Sequence, residues 1–369
     1  MKVGFFSPLP PAPTGVSDYS AALLSALRKH GEVEVGAAGA DVALYHIGNN
    51  LLHRDIYHQA LTHPGVVVLH DSVLQHFFLG MLDQSGYVEE FVYNYGEWTR
   101  SLAQDLWKNR ARSGADPLYF GYPMLKRLAE TARAVIVHNP AAAKIVQRHG
   151  PCGPVVEIPH LFIPPEVPDN VATLRFRAQL GLNARTLLVG VFGHLRETKR
   201  LPVVIRAMER LWQEGVDAVL LVQGAFVSSD LERSLAERLK HPRILRAGYL
   251  PDKEFWRWAA ATDVCINLRF PTAAETSGIA VAMMGIGKTV VFSSGEEIAR
   301  IPENACLRVD QGPAEETMLT DYLCWLASNR EAVAEIGRHA AEHVVREHAA
   351  EKVAADYWKV VGRAILRAA

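Results

Sequence analysis

The chain has 369 residues, which at roughly 150 residues per domain favours two domains over a single small module. Its 39 Lys and Arg against 40 Asp and Glu leave a net charge of −1, which gives no field able to hold a polyanion, so nucleic acid is excluded as the main ligand. The four cysteines, Cys152, Cys265, Cys306 and Cys324, are scattered without a CxxC pair, which excludes a zinc ribbon and a disulfide framework.

In chain order, the first apolar run, Val3 to Phe6, is stopped by Ser7 and Pro8 and is too short for a signal peptide. Further runs rich in Val, Ile and Leu follow at 41–46, 65–70 and 134–138, then at 186–193, 218–224, 243–250, 263–268 and 289–293. They lack the alternation of half-exposed strands and have helical segments between them, which predicts parallel sheets buried on both faces. Pro159, Pro164, Pro165 and Pro168 crowd the stretch 158–185, read as the interdomain linker. The expected organisation is α/β, with a doubly wound domain over 1–165, a second over 173–348, and a C-terminal helix over 349–369 packing back on the first. Ligands of such sheets sit outside the carboxyl ends of the strands, which here carry Ser7, His46, His70, His138, Gly193, Gly224 and Asn267. Val353, Tyr357, Val360, Val361, Ala364 and Ile365 form one helical stripe, suited to packing across both domains or to weak peripheral contact with a membrane. The longest apolar stretch, Gly278 to Gly287, has ten residues, whereas a span needs about 20, so a cytoplasmic protein is expected.

Two segments carry chemistry. In 267–293 a strand ends, a loop bearing Glu275 follows, and a small-residue helix opens at Ser277 and Gly278; the open N–H groups of such a helix start suit a phosphate, and Gly278 lets it approach. In 191–208 a strand runs into a glycine turn followed by Arg196, Lys199 and Arg200, three cations that suit a pyrophosphate. Read alone, each is also an ordinary strand-to-helix turn with solvated cations. The 15 histidines do not make a metal site: His53, His58 and His63, five apart, cannot share a helix face, and HExxH is absent. Asp263 stands isolated before a buried strand and Asp18 lies in a helix-opening loop, so no carboxylate cluster suits Mg²⁺. There is no P-loop, no GxGxxG and no Ser-His-Asp order, and dehydrogenase and kinase readings lose their main support.

In this order and spacing the two segments, with FFSPLPPAPTGVSDYS near the start, VVVLHD at 66–71, AVIVHN at 134–139 and AGYLPDKEFWRWAAATDVCINLR at 247–269, resemble the retaining glycosyltransferases of family 4, also called group 1, which have a GT-B fold. The resemblance extends over nearly the whole chain and implies two Rossmann-like domains facing a cleft, the second holding a nucleotide-diphosphate sugar and the first mainly the acceptor. It implies that Glu275, the first carboxylate of the E-x7-E motif, meets the sugar hydroxyls, and that Met283 occupies the place of the second, which holds the ribose. With Met283 at the mouth of a polar cleft, Met283→Glu would tighten donor binding. The Arg-x4-Lys phosphate pair falls on His194 and Lys199, with Arg196 placed to substitute for the arginine. Thr276, Ser277, Gly278 and Ile279 would bind the donor at the helix start, with Gly193 and Gly224 at strand ends, Tyr249 and Leu250 in the loop that meets the base, and Gly15 in the first glycine loop.

His70, followed by Asp71, matches a histidine beside the transferring sugar, so His70 and Glu275 would face one sugar from opposite domains. The implied activity is transfer of a glycosyl group to a hydroxyl with retention, by front-face attack, without metal or cofactor, and with domain closure excluding water. The acceptor would be a carbohydrate or a lipid-linked one, met by residues 72–133, where Arg100, Lys108, Arg110 and Arg112 lie near Trp98 and Trp107, suited to an anionic lipid at the inner face of the membrane or to a solvated helix face. The alternatives are a non-catalytic homologue acting as a nucleotide-binding or partner subunit, suggested by Met283 and His194, and another GT-B enzyme such as a nucleotide-sugar epimerase.

Overall fold

The computed structural model describes residues 1–366 and contains two six-stranded, wholly parallel sheets. The first is built from β1 (Lys2–Phe6), β2 (Glu32–Val35), β3 (Val42–Ile47), β4 (Val66–Leu69), β5 (Ala134–Val137) and β6 (Val155–Glu157), in the order β2-β1-β3-β4-β5-β6. The second holds β7 (Leu187–Phe192), β8 (Ala218–Gln223), β9 (Ile244–Ala247), β10 (Val264–Asn267), β11 (Thr289–Ser293) and β12 (Leu307–Val309), in the order β12-β11-β10-β7-β8-β9. Both are doubly wound, with the order reversing between β1 and β3 in one sheet and between β7 and β10 in the other. Those reversal points are where open α/β sheets bind ligands.

Each of the nine Val-, Ile- and Leu-rich runs read as strands is a strand. Three strands had no run to announce them: β2, β6 and β12, all at sheet edges, where most residues stay partly in water and no continuous apolar stretch is needed. The stretch read as a linker is also not all linker, since Asn170–Gln179 is a helix, capped by Asp169 and packed against the helix Asp252–Ala261.

Contacts divide the chain into two compact units. One takes Met1–Ile163, Pro271–Thr276 and the residues from Glu347 onward; the other takes Pro164–Phe270 and Ser277–Arg346. The hexapeptide Pro271–Thr276, placed by its sequence position inside 173–348, thus belongs with the first unit, because Ser72 N–H donates to Ala273 O at 2.9 Å and Asn139 Nδ2 donates to Ala274 O at 2.8 Å.

The first sheet is covered on both faces, one by side chains such as Phe77, Phe91 and Leu106, the other by the helix Gly15–Leu27 and the C-terminal helix Ala350–Leu366. Val353, Tyr357, Val360, Val361 and Ala364 are buried in that second layer, so the C-terminal stripe is core of one unit and does not pack across both. Residues 367–369 of the expected helix lie outside the described residues. Among those described, no helix is long and apolar enough to cross a membrane.

In the second unit, Asp263 is not isolated. It accepts Arg177 Nη1 at 3.0 Å, Arg330 Nη2 at 2.7 Å and Leu188 N–H at 2.8 Å, tying the start of β10 to β7 and to two helices.

Candidate functional site

In the second unit the reversal between β7 and β10 gathers the predicted phosphate-binding groups. β7 is followed by Gly193, whose φ of +86° no side chain adopts readily, and β8 by Gly224, where a Cβ would lie 2.0 Å from Gly193 O. The chain therefore turns tightly out of β7 into a 3₁₀ turn, Glu197–Lys199, that folds Lys199 back. Lys199 is only 7% exposed, and its ammonium donates to Phe192 O at 2.6 Å. The Nζ also lies 3.7 Å from where a Cβ of Gly193 would stand, as does Ile279 Cγ1, which brings the lysine to the first turn of the helix Gly278–Gly285. Ser277 caps this helix, its Oγ accepting Ala280 N–H at 3.3 Å and Asn267 Nδ2 at 3.0 Å, so the Gly278 and Ile279 N–H groups remain first-turn donors.

Arg196 is exposed at the start of the 3₁₀ turn, and His194 is held below the usual imidazole range by partial desolvation of its ring first and then by the Arg196 and Lys199 charges. Arg200 does not join this group, although it is adjacent in sequence. Its Nε and Nη2 both bind Glu315 Oε2, at 2.9 and 2.6 Å, and Glu315 is 2% exposed, so the guanidinium neutralises a buried carboxylate. Arg269, which the sequence reading passed over, stands where β10 ends, its backbone N–H on Ser293 Oγ at 2.9 Å and its Nη2 3.5 Å from Ser277 Oγ. Burial raises the Cys265 thiol of β10 to about 12, opposed by the Lys199 and Arg269 charges.

At the base loop, Tyr249 is 84% exposed, and Gly248 O accepts Gln223 Nε2 at 3.2 Å. Met283 is 0% exposed in the helix Gly278–Gly285. It does not stand at the mouth of a polar cleft, which reverses the effect expected of Met283→Glu.

In the first unit, Gly15 is exposed and opens the helix Gly15–Leu27, capped by Thr14. That helix presents Tyr19 to a group of imidazoles, His46, His70, His138 and His160, with ring centroids 6.1, 4.9, 5.3 and 4.6 Å away. The Tyr19 hydroxyl meets Tyr357 OH of the C-terminal helix at 2.8 Å. His70 follows β4, half-buried, with its N–H on Ile47 O at 2.9 Å and its Nε2 3.0 Å from His46 Nδ1. Burial and the neighbouring imidazoles His138, His46, His53 and His160 hold His70 well below its usual range, so the ring is neutral at pH 7. Among the described residues no group of three or more His, Cys, Asp or Glu is arranged to hold a metal ion.

Glu275 lies in the same unit as His70, not across from it. Asn139 arranges this: its Oδ1 caps the helix Pro140–Gln147 through Ala142 N–H at 2.9 Å, while its Nδ2 reaches Ala274 O at 2.8 Å and Thr276 Oγ1 at 3.0 Å. Glu275 Oε2 accepts Ala273 N–H at 2.9 Å and Thr272 Oγ1 at 3.3 Å. Ser72, two residues beyond His70, holds the same loop through Ala273 O. His46 was visible in the sequence only as a polar residue at a strand end, and Asn139 only as the last residue of AVIVHN; their partners were not visible. Of the cations read for the acceptor, Arg100 is taken up by Glu89 and Glu97, and Arg110 lies over Trp107 at 4.4 Å.

The fold is that of solved GT-B glycosyltransferases. A sucrose-phosphate synthase from Thermosynechococcus elongatus superposes with a TM-score of 0.71 at 17% identity, covering 100% of each chain. HepE of Anabaena, in complex with UDP and glucose, gives 0.65 at 15% identity over 98% of this chain and 100% of its own. WaaG, a glycosyltransferase involved in lipopolysaccharide biosynthesis, gives 0.58 at 12% identity over 95% and 98%. No protein-family model matches the sequence, and no curated protein is similar to it at a significant level.

Proposed function

We propose that the chain is a glycosyltransferase that moves a sugar from a nucleotide-diphosphate sugar to a hydroxyl of a carbohydrate or lipid-linked acceptor, with retention of anomeric configuration. The observation that carries this reading is the buried Lys199 ammonium beside the start of the helix Gly278–Gly285, at the strand-order reversal of a sheet whose fold is that of GT-B glycosyltransferases. A leaving diphosphate gains negative charge as the anomeric bond breaks, and fixed donors that need no reorganisation lower that barrier. Lys199, Arg196 and the Gly278 and Ile279 N–H groups supply them without a metal ion. His70 and Glu275 orient the sugar, and the donor phosphate accepts the acceptor's proton in a front-face attack, so positioning contributes much of the rate. The enzyme would work in the cytoplasm, at the inner face of the membrane when the acceptor is lipid-linked.

HepE was solved with UDP-glucose, which makes that donor the first to test. At a hundred times its Kd a donor raises stability by about 2.7 kcal/mol, readable as a thermal shift. Lys199→Met, which keeps the packed stem and removes the charge, is expected to lower UDP-glucose turnover about 10²-fold at an unchanged melting temperature, and turnover of the native chain is expected to persist in excess EDTA. Full activity in a folded Lys199→Met protein would remove the diphosphate assignment. Burial of Met283 where the family places a ribose-binding carboxylate favours a second reading, a nucleotide-binding homologue without turnover. Calorimetric binding of UDP with no hydrolysis or transfer would select it.

A further inference from the structure

Five imidazoles of the first unit give their Nδ1–H to backbone carbonyls: His53 to His46 O at 2.9 Å, His138 to Ile158 O at 3.0 Å, His149 to Ile145 O at 2.9 Å, His160 to Leu161 O at 2.8 Å and His348 to His160 O at 2.5 Å. A carbonyl oxygen only accepts, so each of these rings carries its proton on Nδ1. The pair His46 and His70 differs, because both partners are ring nitrogens, Nδ1 of His46 and Nε2 of His70, 3.0 Å apart. One proton lies between them, and the ring that owns it decides what His70 can offer a ligand.

The surroundings of His46 settle the choice. The side chain is 0% exposed, and its Nε2 is buried with no hydrogen-bond partner among the described residues. If His70 were the donor, neutral His46 would carry its own proton on that Nε2, a buried N–H with nothing to accept it. If His46 donates, Nε2 holds only an unused lone pair. Stranded buried N–H groups are rarer and costlier than under-used acceptors. The two rings also stack at 5.2 Å with their planes 22° apart, and Phe5 packs on His46 at 4.8 Å, which holds the donor ring in place.

We propose that His46 is a positioning residue: it donates Nδ1–H to His70 Nε2 and so fixes His70 as the tautomer that presents Nδ1–H to a hydroxyl or phosphate oxygen of the donor. The identity of that ligand rests on the glycosyltransferase reading; the tautomer does not. Burial and the neighbouring imidazoles keep the His70 ring neutral, which leaves a directed N–H and no charge.

The test is a two-bond ¹H–¹⁵N correlation spectrum of the full chain labelled at histidine nitrogen, with His70 assigned by its loss in His70→Gln. Native protein is expected to show Nδ1–H with an unprotonated Nε2 at His70. His46→Asn, whose Nδ2 stands where Nδ1 stood, is expected to keep this pattern, and His46→Leu to shift His70 toward the Nε2–H form. With UDP-glucose as probe, His46→Leu is expected to lower kcat about 10-fold to 100-fold with little change in KM, and His46→Asn to restore most of it. An Nε2–H signal at His70 in the native protein, or identical His70 spectra in the Leu and Asn variants, would overturn the proposal. If native protein does not turn over UDP-glucose, the kinetic arm reports on the functional reading, while the spectra still decide the tautomer.

Discussion

A glutamate at position 283 would have to give up its hydration inside a helix face with no exposed surface. Either the carboxylate stays charged without a partner, or it is neutralised at the cost of a large upward pKa shift; both destabilise, by at least about 3 kcal/mol. Met283→Glu is therefore expected to lower the melting temperature by several degrees, whereas Met283→Leu, which conserves volume, is expected to cost less than about 1.5 kcal/mol. A Met283→Glu protein that melts like the native one and binds donor more tightly would mean that this helix face opens to the ligand. The positions of Lys199 in the turn after β7 and of Ser277 and Gly278 at a helix start after β10 were legible from residue identity and spacing, because each is local to its own strand-to-helix connection. Identity and spacing were not enough for Arg200, whose partner Glu315 is 115 residues away, nor for Met283, whose helix face is set by packing. Pairing of His46 with His70 likewise depends on the register of β3 on β4, with Ile47 opposite Leu69, which no local pattern encodes.

The imidazoles gathered around the carboxyl end of the first sheet carry a liability that its apolar strand interiors do not. His53 and His138 are each pushed down to about 4 and His160 to about 3, with burial the leading cause in all three. An imidazole whose folded pKa lies below its unfolded value of about 6.5 binds fewer protons in the native state than in the unfolded one. Its stabilising contribution is complete above about pH 6.5 and is lost as pH falls toward about 4. The first unit is thus expected to lose stability steeply between those values, on the order of a few kcal/mol in total. Replacing His138 by Gln should flatten that dependence while lowering stability at pH 7, because the Ile158 carbonyl must find another donor. Melting temperature against pH for both proteins checks this, and a native profile flat from pH 7 to 4.5 would contradict it. Apolar runs identified every interior strand, because burial on both faces leaves no room for polar residues, and one edge strand, β9. The edge strands β2, β6 and β12 and the helix Asn170–Gln179 escaped because partial exposure relaxes that demand.

Chain order and unit order part company in two segments, Pro271–Thr276 and the residues from Glu347 onward. The second unit's core, from Leu187 to Val333, is drawn from one continuous stretch interrupted only by the hexapeptide Pro271–Thr276. The first unit, in contrast, borrows a layer from the far end of the chain: Val353, Tyr357, Val360 and Val361 complete the cluster around Phe5, Leu23, Leu27 and Val68. Burying these four side chains contributes roughly 6–12 kcal/mol as an upper estimate. That is comparable to the whole stability of a domain, about 5–15 kcal/mol. Without the helix Ala350–Leu366, Tyr19 also loses the hydroxyl of Tyr357, and the ring that packs His70, His138 and His160 loses its support. A fragment of residues 164–346 is accordingly expected to fold alone and melt cooperatively, because freeing one six-residue loop costs it little core. A fragment of residues 1–163 is expected to show helix and strand by far-ultraviolet dichroism but no cooperative melt, and to regain one when a peptide of residues 347–369 is added. A cooperative melt of 1–163 alone, unchanged by the peptide, would show that the C-terminal helix is an accessory to this unit and not a layer of its core.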